Sequence, residues 1–86
     1  MHIVAIKFNK DGLPEFTSWV DRLIVTKEGH IKAKVNGSFS FETTRVVRAQ
    51  LVKPIGIIVH TRSGAKYIIS TPSRKAMRKL FKQFIV

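Results

Sequence analysis

The chain has 86 residues, 44% of them hydrophobic, no cysteine, and a formal net charge of +11 from sixteen Lys and Arg against five Asp and Glu. That length makes a single domain, residues 1–86, burying roughly 60–65% of the unfolded chain's surface, and the composition excludes a disordered chain, a disulfide scaffold and thiolate chemistry. No apolar run is long enough for a membrane-spanning helix, and the first residues lack the basic-then-apolar pattern of a secretory signal, so the expectation is a soluble, intracellular, cytoplasmic protein.

Residues 2–8 alternate, with Val4, Ile6 and Phe8 on one face and a mixed set on the other, which predicts a first strand closed by the turn Asn9-Lys10-Asp11-Gly12. In residues 13–19, Leu13, Phe16 and Trp19 are apolar at helical spacing beside Pro14, which fits a turn of helix or an irregular connection tucking aromatics under the sheet. A lone Trp is more often packed than offered to bases or a membrane, so Trp19 is assigned to the core. From Asp21 the pattern is β: Leu23 and Val25 alternate with Arg22, Ile24 and Thr26, and Glu28-Gly29 turns the chain into a third strand with Ile31, Ala33 and Val35. Lys32 and Lys34 fall on its wetted face.

Asn36-Gly37 tolerates positive φ at both positions and predicts a hairpin into a fourth strand, where Phe39 and Phe41 alternate with Ser38, Ser40 and Glu42. Thr43 and Thr44 lead into a fifth strand over residues 45–53, with Val47, Ala49 and Leu51 on one face and Arg48 and Gln50 on the other. Pro54 and Gly56 then break the ladder. Ile57, Val59 and Thr61 alternate with Ile58, His60 and Arg62, Ser63-Gly64 offers a two-residue turn, and residues 66–70 form the returning strand.

Thr71 can serve as N-cap and Pro72 as first residue of a helix that should run to the chain end. At about 100° per residue, Ala76, Met77, Leu80, Phe81 and Phe84 fall on one arc and Arg74, Lys75, Arg78, Lys79 and Lys82 on the opposite one. So short a helix needs tertiary packing, so the apolar arc should dock on the sheet and leave the basic arc outside. No internal repeat is visible. The expectation is a mainly β domain of about seven antiparallel strands in a bent sheet or small barrel capped by a C-terminal α-helix.

The segment SFSFETTRVVRAQLVKPIGIIVHTRSGAKYIISTPSRKAMRKLFKQF, residues 38–84, resembles the second half of bacterial and archaeal PH-like or GRAM-type domains in its element order and in its G-I-I-V…G-x-K-Y-I-I-S-T hairpin leading to a helix. The resemblance implies the PH-like superfold, which hosts lipid-binding, peptide-binding and assembly roles alike. Many eukaryotic PH domains carry a Trp in this helix, where this chain has Phe81 and Phe84. Phosphoinositide-binding members cluster cations around the first inter-strand loop; here Lys7, Lys10 and Arg22 are interrupted by Asp11, Glu15 and Asp21, so no inositide site carries over. The rival architecture is a small barrel of the OB or Sm type with the helix as an appendage.

Residues 1–42 hold all five acids against six bases, whereas residues 43–86 hold ten bases and no acid. Such a field favours a polyanion. Catalytic signatures are missing: His2, His30 and His60 are far apart with no motif to complete a metal site, and there is no Gly-rich phosphate loop or paired-acid motif. The expectation is a non-enzyme without cofactor or metal, binding nucleic acid through the helix stripe together with Arg45, Arg48, Arg62 and Lys66. An anion pocket at the helix start would use Thr71, Ser73, Arg74 and Lys75. Other partners compatible with the charge are a protein or second copy in an assembly, and an anionic membrane surface, which an interfacial helix could reach only by giving up its core face.

Overall fold

The structure is a computed structural model that describes residues 3–35, 38–53 and 55–84, with the backbone alone at residues 38–40. In chain order it contains β1 (Ile3–Phe8), β2 (Pro14–Val20), β3 (Arg22–Val25), β4 (His30–Val35), β5 (Ser38–Val52), β6 (Gly56–Thr61), β7 (Lys66–Ser70), α1 (Arg74–Phe81) and a 3₁₀ turn, Lys82–Phe84. The seven strands form one antiparallel sheet in the order β2-β1-β7-β6-β5-β4-β3. Its outermost strands, β2 and β3, are joined by Asp21 alone, so the sheet has to curl until its edges nearly meet. The result is a half-barrel with α1 on its inner side.

The strand count matches expectation, but two of its members differ. Residues 13–19 are neither helical nor irregular: Pro14–Val20 is β2, an edge strand, where a proline at the first position costs no ladder bond. Trp19 is 65% exposed, contrary to its assignment to the core, because position 19 faces outward while Phe16, Ser18 and Val20 face inward. Conversely, the expected fourth and fifth strands are one 15-residue strand, β5, which pairs with β4 through its first half and with β6 through its second.

Three irregularities bend β5, one of them opposite Ala33–Lys34 of β4 and two with consequences for the side chains. The first inserts an extra residue opposite the His30–Lys32 stretch of β4, and the Thr43 hydroxyl replaces the lost ladder bond by accepting from Ile31 N at 3.0 Å and donating to the Thr44 carbonyl at 2.7 Å. The second lies between Val46 and Arg48 and turns Val47 outward to 62% exposure, so Val46, not Val47, packs on the core. Each bulge flips the alternation once, and strict parity therefore misassigns Val47.

Three of the hairpins share one design. Asn9-Lys10-Asp11-Gly12-Leu13, Thr26-Lys27-Glu28-Gly29-His30 and Thr61-Arg62-Ser63-Gly64-Ala65 each close with the glycine N–H donating to the first residue's carbonyl, and with the first residue's N–H donating to the fifth's carbonyl. The glycines sit at φ of 84°, 89° and 91°, the left-handed conformation that completes a type I turn with a following bulge. Each loop has three residues, which corrects the two-residue turn expected at Ser63-Gly64, and a short turn unit does repeat where no repeat was expected. The expected Asn36-Gly37 turn and the Pro54 break lie outside the described residues.

The inner face collects Ile3, Ala5, Val20, Leu23, Ile31, Ala33, Ile57, Val59, Tyr67 and Ile69, all buried. In β1 the core side is thus Ile3 and Ala5, whereas Val4, Ile6 and Phe8 look outward. Fully burying an Ile or Val contributes about 1.5–3 kcal/mol, so these few residues supply most of the driving force. An aromatic run spans the open side of the half-barrel: Phe16 of β2 lies 5.2 Å from Phe41 of β5, which stacks on Tyr67 of β7 at 5.9 Å.

Ser73, not Thr71, caps α1, accepting from Ala76 N at 3.3 Å, and Pro72 precedes the cap. Thr71 is buried and its hydroxyl instead accepts from Ser73 N. Leu80 joins the core, with Met77, Phe81 and Phe84 packed against it, as the apolar arc requires. The α-helix ends at Phe81 and tightens into the 3₁₀ turn, where Gln83 Oε1 accepts from Val25 N at 3.2 Å and covers part of the β3 edge. Ile85 and Val86, over which the helix was expected to continue, lie outside the described residues.

Two stability predictions follow from this packing. At Gly56 the backbone φ is +136° and an added Cβ would strike the Ile69 carbonyl oxygen, whereas at Gly12 a Cβ meets open space. Gly12→Ala should cost about 1–2 kcal/mol for its left-handed backbone alone, and Gly56→Ala clearly more, in urea unfolding. The second concerns alkali. The Lys7 ammonium, hydrogen-bonded to Glu15 at 3.0 Å, is held above the ordinary lysine value of 10.5 by that bond despite opposing desolvation. Burial raises the Tyr67 phenol above its ordinary 10.0. Both folded values exceed the unfolded ones, so the stabilisation is complete below about pH 10 and is lost as pH rises through the folded values. Urea titrations should show stability falling above pH 10, and Glu15→Gln should diminish the Lys7 share of that fall.

Candidate polyanion interface

All five cations of the helix stripe, Arg74, Lys75, Arg78, Lys79 and Lys82, are exposed. Their placement follows from the opposite arc: with Leu80 buried and Met77, Phe81 and Phe84 against the core, the rotation of α1 about its axis has no freedom left. Among the described residues the ion pairs Lys7–Glu15 and Lys32–Glu42 occupy acids of the first half of the chain, and no cation of the stripe is in an ion pair with a carboxylate.

Packing adds a cation that sequence reading missed. Lys53, at the end of β5, stands beside Arg74 and Arg78 around a groove of about 200 Å³ floored by Leu51, Val52 and Met77. Its only signal in sequence is position, immediately before the Pro54 break, which gives no clue that the helix start returns to it. At the other end of α1, a hollow lined by Gln83, Phe84, Glu28, Gly29 and Arg45 brings Arg45, with the Glu28 carboxylate beside it, toward the end of the stripe. Arg62 joins Arg45, its backbone N–H donating to the Arg45 carbonyl at 2.8 Å.

The remaining two candidates lie elsewhere. Arg48, His60 and Lys66 are direct cross-strand neighbours on the outer face of the sheet, the side away from α1. Arg48 is exposed, whereas Lys66 is half-buried with its ammonium 4.9 Å above the Phe8 ring. His60 thus fills a sheet face. The candidate cations therefore divide into the helix stripe with Arg45 at its end, an outer-face pair, Arg48 and Lys66, and Arg62, whose backbone adjoins Arg45.

At the helix start, Ser73 uses its hydroxyl on Ala76 N, Thr71 uses its own on Ser73 N, and Arg74 and Lys75 are exposed. The first turn contains no acid. Both hydroxyls expected to line the anion pocket accept local backbone N–H bonds, which leaves their O–H donors beside the exposed Arg74 and Lys75. Among the described residues no three His, Asp or Glu side chains gather as metal ligands, and no helix is long and apolar enough to cross a membrane.

Comparison of the chain with models of protein families, with curated proteins and with solved structures found no match.

Cations beside the positive end of the helix dipole oppose it, so Lys75→Glu should stabilise the protein by about 0.3–1 kcal/mol at low salt, read from thermal or urea unfolding, and the gain should shrink as salt rises.

Proposed function

We propose that this domain is a non-enzymatic module that binds nucleic acid by its phosphate backbone, along the basic face of α1 and on to Arg45. The observation that carries this reading is the fixed helix: its apolar arc is consumed by the core, and five cations, none of them in an ion pair with a carboxylate among the described residues, are left facing solvent. Long cationic side chains on a rigid element suit a polyanion whose charges repeat at regular spacing. The stripe itself carries no aromatic side chain, so contacts go to phosphates with little base readout. The same packing disfavours an anionic membrane as partner, since α1 cannot bury in lipid the face it gives to Leu80 and its neighbours. Kinship with PH-like domains belongs to this proposal as well, resting on the element order of residues 38–84.

Five phosphate contacts imply that log K against log salt falls with a slope of about −4.5 on B-DNA, from roughly −0.9 per contact. Replacing Arg74, Arg78 and Lys82 by Ala should weaken binding to duplex DNA and flatten the slope by about three contacts. Lys53→Ala should flatten it further. A slope and affinity unchanged in the triple variant would sink the reading.

A further inference from the structure

The sheet is apolar on both sides. In β6, Ile57 and Val59 fill the core while Ile58 looks outward; in β7, Tyr67 and Ile69 look in and Ile68 out; in β1, Ile3 and Ala5 look in and Val4, Ile6 and Phe8 out. Antiparallel strands with one wet face normally alternate apolar with polar, and strands apolar on both faces are the ones covered on both faces. The inner face has α1. The outer face has no counterpart among the described residues: Val4, Ile6, Phe8, Ile58 and Ile68 keep intermediate exposure and Trp19 at its margin is 65% exposed.

We infer that this outer face docks an acidic amphipathic helix of a partner protein. Ile6, Ile68 and Ile58 are direct cross-strand neighbours on three adjacent strands. They cover about 10 Å at the usual strand spacing, close to the width of one helix with its side chains. A sheet face of this kind is stabilised by a second layer, and a helix laying its apolar strip on it is one such layer. Charge selects the chemistry of that helix. The row beside the isoleucines carries Arg48, His60 and Lys66, and the outward positions of β1, β6 and β7 hold no acid. Carboxylates beside the partner's apolar strip therefore meet cations at one end of the face.

The same charges argue against other occupants. A second copy would bring +11 against +11, with no acid among the outward positions of β1, β6 and β7 to neutralise the row. Nucleic acid would press its phosphates on isoleucines, since the cations stand at one end of the face and not at its centre. The two surfaces thus lie on opposite sides of one sheet, polyanion on the helix side and acidic protein on the outer side, and neither excludes the other.

Trp19 is the only tryptophan in the chain and lies at the edge of this face, so its emission reports covering directly. The probes are two synthetic helical peptides with the same leucine strip, one flanked by glutamates and one by lysines, titrated into the intact protein while Trp19 emission is followed. The glutamate-flanked peptide should give a saturable blue shift and the lysine-flanked one none. Ile68→Lys adds positive charge yet removes the centre of the face, so it should weaken the glutamate-flanked peptide about tenfold or more while leaving the DNA salt slope unchanged. The double variant Arg48→Glu with Lys66→Glu leaves the isoleucines in place and should reverse the preference toward the lysine-flanked peptide. Binding as tight to Ile68→Lys as to the natural protein would overturn the inference, because attraction to a basic surface would then be sufficient. So would a Trp19 shift produced by raising protein concentration alone, which means a second copy, or a shift with anionic vesicles matching that with the peptide. If Ile68→Lys loses its circular dichroism signature, the charge-reversal variant decides by itself: an unaltered preference refutes the docking face.

Discussion

The architecture depends on the pairing of the first strand with the last. β1 lies between β2 and β7, with Val4 opposite Ser70 and Phe8 opposite Lys66, so residues more than fifty positions apart in sequence exchange backbone hydrogen bonds. Without that ladder the chain would be a hairpin at one end and a five-strand meander at the other, joined by Asp21. Closing so long a loop costs entropy that local turns do not offset, and the compensating stabilisation comes from the inner face. Ala5 beside Ile69 beside Ile57 is one continuous buried row across three strands, and in the next row half-buried Lys7 lies beside buried Tyr67 and Val59.

Everything at the turn-bearing end supports that closure through local hydrogen bonds. Two of the glycine-closed loops meet at the β5 bend: Ser63 N donates to Thr44 Oγ1, Arg62 N to the Arg45 carbonyl, and Val46 N to the Gly29 carbonyl. The bend is thus held by the loops it passes, and Thr43 supplies from its side chain the acceptor that the bulge removes from the ladder. A strand of 15 residues could otherwise continue straight and open the half-barrel. His30 adds to the same junction, its Nδ1 lying 2.9 Å from the Thr43 carbonyl.

The two proposed surfaces lie in different layers. α1 gives its apolar arc to the inner face and has only its cations to offer solvent, while the outer face of the sheet offers isoleucines bordered by cations. Arg74 and Lys75 occupy a helix end where acids would be more stable, and they remain compatible with the fold because the penalty is small beside the burial of Leu80. A basic first turn at a cost in stability is what phosphate contact along the whole stripe would require.

Hairpins, helix and helix polarity were legible in the sequence because each is a local pattern. Gly12, Gly29 and Gly64 mark turns through their backbone freedom, and the alternation from Ile57 to Ser70 marks two strands. The helical period from Ala76 to Phe84 separates apolar from basic arcs without any knowledge of what the helix touches. What stayed hidden depends on partners distant in sequence. Trp19 reads as core by residue type and is exposed because β1 presents Val4 opposite it on the outer face. Val47 reads as core by parity and is exposed because a bulge against β6 resets the alternation. Ser73 displaces Thr71 as cap because Thr71 is buried where β7 ends. The sequence by itself determined the strand-rich class, the helix and its two faces, all of which local sterics and periodicity encode. Tertiary structure alone decided which side of the curled sheet is inside, which cations share a surface, and that Lys53 returns to the helix start, because those follow from long-range pairing between strands that carry no local record of one another.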